Sequence, residues 1–103
     1  MEGKDITRGS NRDSEKYLER ELVKHIELLG GKCIKLVPFN SNGIPDRLCL
    51  LSGGTIFFVE LKSKGQKPRK LQLYWHRVLT ELGFDVYVID SYEKLNAILL
   101  DYE

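Results

Sequence analysis

Long apolar runs, a cysteine framework and a surplus of either charge are all missing from this sequence. No apolar stretch approaches the ~18 residues that a membrane-crossing helix needs. The opening "MEGKDITRGSNRD" is polar throughout, unlike the apolar core of a secretion leader. The expectation is a cytoplasmic protein with no membrane partner. Only two cysteines are present, Cys33 and Cys49. They have no CxxC spacing, and neither His25 nor His76 falls at ligand spacing from them, which argues against zinc. They could pair if their strands are adjacent; the expected state is two reduced core thiols. Lys and Arg number 16 against 15 Asp and Glu, a formal net charge of +1. Total charge therefore does not point to nucleic acid, and only the placement of the charges can.

What is present fits one domain. Of 103 residues, 42% are hydrophobic and 30% charged, which suits a single core and is too apolar for a disordered chain. Residues 1–12 are rich in Gly, Ser and Asn and are expected to form a mobile arm. Residues 13–103 are expected to form the domain. A helix is predicted from about Asp13 to Leu29, with Asp13 or Ser14 as its cap and Leu18, Leu22, Val23, Ile26 and Leu29 in one stripe. Gly30 and Gly31 end it. "CIKLVPF", "RLCLL" and "TIFFVELK" read as strands, the last two joined by "SGG" as a hairpin. A helix over about 69–82 follows, with Leu71, Trp75, Val78, Leu79 and Leu82 expected to face the core. "GFDVYVID" is a turn and a fourth strand, and "SYEKLNAILLDY" a last helix capped by Ser91. The order α-β-β-β-α-β-α, with a hairpin and a strand–helix–strand crossover, predicts an α/β fold: a central mixed four-stranded sheet flanked by helices.

Three ionisable residues interrupt the most apolar part of the chain. In "TIFFVELK", side chains alternate between faces, so Ile56, Phe58, Glu60 and Lys62 share one side and Phe57, Val59 and Leu61 the other. Asp46 follows Pro45, just before the preceding strand. If the hairpin forms across Ser52–Gly54, Asp46 comes beside Glu60 and Lys62. A Glu-x-Lys on a strand is most often an exposed ion pair, and Asp after Pro a turn residue; their coincidence at one hairpin end is what favours a site. Asp46 and Glu60 suit a hard cation such as Mg²⁺, which takes one or two carboxylates and keeps several waters. Water on such an ion is acidified and can attack phosphorus, with Lys62 orienting it or neutralising the developing charge. A third carboxylate is expected from the first helix. At ~100° per residue, Glu15 and Glu19 both project onto its leucine stripe. The helix dipole sufficiently explains Glu15, so Glu19 is favoured and Glu15 is the alternative.

Pro45-Asp46 followed by Glu60-Leu61-Lys62 resembles the PD-(D/E)xK nuclease superfamily, which has a restriction-endonuclease-like core. The fuller string "GIPDRLCL … FFVELKSKGQKPRKLQLYWHRVLTELGFDVYVI" resembles the VRR-NUC family, over about residues 14–90. "ERELVKHIELLGGKCIKL" is also similar to the opening of archaeal Holliday-junction resolvases, in which a glutamate of an "ERELV"-like run joins the metal site; that favours Glu19. VRR-NUC sequences commonly carry Glu-x-x-Leu/Ile-Gln, which would align Glu15 with the Glu, so both remain open. The resemblance implies metal-dependent hydrolysis of DNA, with Mg²⁺ as cofactor, Mn²⁺ as substitute and no organic cofactor. It implies Asp46, Glu60, Lys62 and Gln72 as catalytic residues and Glu19, Asp46, Glu60 and the Leu61 carbonyl as metal ligands. It also implies a homodimer, as for stand-alone resolvase-like members, and a small size typical of phage proteins.

From Lys62 to Lys70 there are five positive residues and no acidic one. Beyond Lys62 these are Lys64, Lys67, Arg69 and Lys70, expected to contact DNA phosphates, with Gly65 allowing close backbone approach and Arg8 and Arg12 adding grip. Nothing resembles a base-reading helix, so binding is expected to follow backbone and shape. The expected function is a structure-selective endonuclease for branched DNA such as Holliday junctions. The alternatives are a non-catalytic DNA-binding or assembly module with the same fold, and a nuclease for linear or flap DNA.

Overall fold

A computed structural model describes residues 13–37 and 43–103. The expected arm at 1–12, with Arg8 and Arg12, and most of the "NSNG" loop lie outside the described residues. The elements are α1 (Glu15–Leu28), β1 (Lys32–Lys35), β2 (Arg47–Leu51), β3 (Thr55–Leu61), α2 (Lys70–Glu81), β4 (Asp85–Ile89) and α3 (Tyr92–Leu100). This is the predicted order. The strands form one four-stranded sheet, β1-β2-β3-β4, antiparallel at the first two junctions and parallel between β3 and β4.

Helix α1 starts because the Ser14 hydroxyl accepts the Tyr17 N–H at 3.2 Å, satisfying one of the orphan donors of a helix N-terminus. Asp13, the other candidate cap, instead accepts the Tyr92 N–H at 2.8 Å and ties the start of α3 to that of α1. Ser91 caps α3 as expected, accepting from Lys94 N–H. Leu18, Leu22 and Ile26 are fully buried, each contributing roughly 1.5–3 kcal/mol of transfer free energy. Gly31 follows the helix where the chain passes under β2. A Cβ there would run into the Leu50 carbonyl oxygen and the Leu51 side chain, so only glycine lets the strand approach.

The β2–β3 hairpin turns through a single 3₁₀ turn at Ser52–Gly54, where Gly53 and Gly54 take φ of 81° and 79°. That left-handed backbone is the reason for the glycine pair. The register pairs Leu51 with Thr55 and Arg47 with Val59. One further step along it sets Asp46 opposite Glu60.

The two faces of the sheet are unlike. Cys49, Phe57, Val59, Leu61 and Ile89 pack with Leu18, Leu22 and Ile26 of α1 and with Leu95 and Leu99 of α3 in one buried core. On this side Phe57 stacks on Tyr102, with ring centroids 4.3 Å apart. Cys33 lies directly opposite Cys49, the sulfurs 3.8 Å apart and both thiols free. The strands are adjacent, and the two sulfurs are not bonded to each other. Helix α2 lies over the other face, and there the predicted packing needs correction. Leu71 and Leu82, expected in the core, are 47% and 68% exposed, while the buried residue of α2 is Gln72. Trp75, Val78 and Leu79 are half-buried. The helix is rotated by about one residue from the leucine stripe because Gln72 is held by hydrogen bonds on both sides of its amide.

Candidate active site

Asp46 is fixed from three directions. Pro45 before it is buried and sets the local backbone. Its carbonyl accepts the Leu36 N–H at 2.9 Å, beyond the end of β1. Its Oδ2 accepts the Leu61 N–H at 2.8 Å, beside Glu60 on β3. Burial raises the Asp46 carboxyl above the ordinary aspartate value; the Leu61 N–H pulls it down and the Glu19 charge pushes it up again.

Glu60 is 1% exposed, on the α2 side of the sheet. Its Oε2 accepts the Gln72 amide N–H at 2.7 Å, and the Lys62 ammonium stands 3.9 Å from the same oxygen. The other side of the Gln72 amide accepts the Arg69 N–H at 2.7 Å, which closes the first turn of α2. Gln72 thus couples the start of α2 to the buried acid. Burial, then the Asp46 charge, pushes the Glu60 carboxyl up to about 7, against the pull of Lys62. Glu60 Oε1 is buried without a hydrogen-bond partner, and so is the Nε2 of His76, 3.6 Å away.

The two acids of α1 divide between the two carboxylates. Glu19, the favoured third ligand, accepts the Arg47 Nε–H at its Oε2 at 2.8 Å, while its charge still reaches Asp46. The charge of Glu15 reaches Glu60. Among the described residues, no three His, Cys, Asp or Glu side chains close into a cation cage. Magnesium does not need one, since one or two carboxylates with waters and a substrate phosphate suffice. The unpartnered Glu60 Oε1 is the kind of buried oxygen that an ion would satisfy, and the Asp46 charge reaches Glu60.

Beyond Lys62, the chain leaves β3 through exposed Lys64, Gly65 and Lys67, and Arg69 and Lys70 are exposed at the start of α2. Lys64 makes a surface ion pair with Asp13 at 3.5 Å, which is worth little in water. The basic run therefore borders the carboxylates. Sequence reasoning weighs His76 only against the cysteines and misses its place beside Glu60. The available signal is its position four residues after Gln72, on the same face of the helix.

No family model matches the chain. It is 42% identical over 85 residues to a protein called "Putative nuclease p44" of Acyrthosiphon pisum secondary endosymbiont phage 1. That match spans 82% of this chain and 90% of the relative. Among solved structures it is similar to one described as a VRR_NUC domain, with a TM-score of 0.81 and 31% identity, covering 86% of this chain and 97% of the other.

Proposed function

The chain belongs to the VRR-NUC family of nucleases, and on that premise we propose that it is a divalent-cation-dependent endonuclease acting on branched DNA. The observation that carries this is the meeting at one end of the β2–β3 hairpin of Asp46, held on the Leu61 amide, with buried Glu60 and its unpartnered oxygen. Burying two acids side by side is costly unless something positive joins them. Asp46, Glu60 and the Leu61 carbonyl are the proposed donors, and Mg²⁺ or Mn²⁺ the ion, with Glu19 or Glu15 completing the set through water. A bound ion would acidify a water molecule and draw charge from the phosphoryl oxygens.

The remaining roles belong to the chain's own side chains. Lys62, next to Glu60, orients the attacking water and offsets the charge that builds on phosphorus. Gln72 holds Glu60 in place through its 2.7 Å hydrogen bond. Lys64, Lys67, Arg69 and Lys70 bind phosphates flanking the scissile one. A homodimer would offer one such site to each of two opposed strands. The exposed side chains of Ile34, Ile56, Leu71 and Leu73 supply apolar surface for such a contact.

A panel of linear, nicked, flap and four-way DNA, incubated with Mg²⁺ and with chelator, tests this directly. Cleavage should favour the four-way substrate and stop with chelator. Binding should weaken with salt at a log–log slope of about −0.9 per phosphate neutralised, and Lys67→Glu with Lys70→Glu should flatten that slope. Equal cutting of all substrates would remove the structure selectivity, and cutting in chelator would remove the metal.

A further inference from the structure

We propose that Cys33 is a site of oxidation by hydroperoxides and Cys49 its resolving thiol, the two closing into a reversible disulfide that locks the edge strand β1 onto β2. The residues are directly opposed across the antiparallel pair, with their sulfurs 3.8 Å apart and no bond between them. The phase of the ladder favours a bridge. The Leu36 N–H donates to the Asp46 carbonyl at 2.9 Å, so the pair one step beyond the end of β1 is hydrogen-bonded. Counting back through the alternation of an antiparallel ladder makes Cys33 and Cys49 a non-hydrogen-bonded pair. Such pairs hold their Cα atoms about 4.5 Å apart, inside the range of roughly 4.4–6.8 Å that a disulfide spans. Closing the bond therefore needs a turn of two side chains and no shift of the strands.

The two thiols differ as this chemistry requires. Cys49 is fully buried on an interior strand, whereas Cys33 is half-buried on the outermost one, within reach of a small oxidant. Arg47 donates from Nη1 to the Cys33 carbonyl at 3.1 Å, which holds a guanidinium beside that residue. The hydrogen bond with Cys49 lowers the Cys33 thiol below its ordinary value; burial opposes this and the Arg47 charge adds to it. The Cys33 thiolate attacks one oxygen of a hydroperoxide ROOH and breaks the O–O bond. The alcohol ROH leaves with the thiol's proton, and the sulfur keeps OH as a sulfenic acid. The Cys49 sulfur then attacks the Cys33 sulfur, and the hydroxyl departs with the Cys49 proton as water. The peroxide is reduced by two electrons, one from each thiol. Two inert core thiols would account for Cys49 but not for its opposed partner on the sheet edge.

The test exposes the full chain to hydrogen peroxide and follows it by intact-mass spectrometry, non-reducing peptide mapping and thermal melting. The expected product is a chain lighter by two hydrogens, with Cys33 and Cys49 in one crosslinked peptide, that regains its starting mass in dithiothreitol. The bridged residues are 16 positions apart, so the oxidised form should melt about 10 °C above the reduced one. Cys49→Ala, which lacks the resolving thiol, should stop at a Cys33 sulfenic acid that dimedone captures. Cys33→Ser should give neither product. Circular dichroism checks that the variants fold, and Cys49→Ser serves if Cys49→Ala does not. A parent that keeps both thiols, gains oxygen without a crosslink, or joins to other chains through disulfides would overturn the proposal. Oxidation of Cys49 in Cys33→Ser at the parent's rate would overturn the assigned roles, and an oxidised form that melts no higher would overturn the lock.

Discussion

Replacing Glu60 by glutamine is expected to abolish cleavage while making the metal-free protein more stable at pH 8. Glu60 titrates at about 7 in the fold against an ordinary 4.5. A carboxylate raised in this way contributes stability below the unfolded value and loses it as pH rises through the folded one. At 1.36 kcal/mol per pH unit, the displacement corresponds to about 3 kcal/mol lost between pH 4.5 and 8. The substituted amide would not ionise, and its oxygen could still accept from Gln72, so the variant should avoid most of that loss. Thermal melts of parent and variant should nearly coincide near pH 4.5 and separate as pH rises, the variant melting several degrees higher at pH 8. Mg²⁺ should raise the parent's melting temperature and leave the variant's unmoved. A variant less stable than the parent at pH 8 would mean that burial does not strain Glu60. The same titration predicts that cleavage by the parent rises with pH through about 7, because the ion must displace the Glu60 proton.

Lys62→Ala should cost cleavage about 10²–10⁴-fold while leaving ion binding in place. The ammonium stands 3.9 Å from Glu60 Oε2, too far for a strong hydrogen bond, which leaves it free to face a phosphate or an attacking water. Without its positive charge, Glu60 should titrate still higher and the ion should bind only at more alkaline pH. Single-turnover cleavage and ion-binding isotherms measured across pH separate the two effects. Loss of ion binding equal to the loss of cleavage at every pH would make Lys62 a structural partner of Glu60 and not a group acting on the substrate.

The sheet was legible because each strand carried its own punctuation. The alternation from Ile56 to Lys62 and the turn glycines at Gly53 and Gly54 fixed the hairpin, and with it the approach of Asp46 to Glu60. The spatial order follows the chain order, so no rearrangement had to be guessed. The orientation of α2 was not legible. Its leucines form an ordinary apolar stripe, but the buried position belongs to Gln72, whose preference arises from Glu60, twelve residues earlier in the chain. A period of 3.6 residues cannot register a hydrogen bond made across the fold. The same limit applies to α1. Glu15 and Glu19 share one face, and periodicity has no means of telling that Glu19 meets Arg47 while Glu15 influences Glu60. His76 was hidden for the same reason, since only the folded sheet brings it to Glu60.

Crystals of the protein grown with Mn²⁺, measured at the manganese absorption edge, would locate the ion without reference to activity. The expected result is an anomalous peak within about 2.2 Å of carboxylate oxygens from both Asp46 and Glu60. A peak bound elsewhere, or none between these residues in crystals of protein that cleaves DNA, would contradict it.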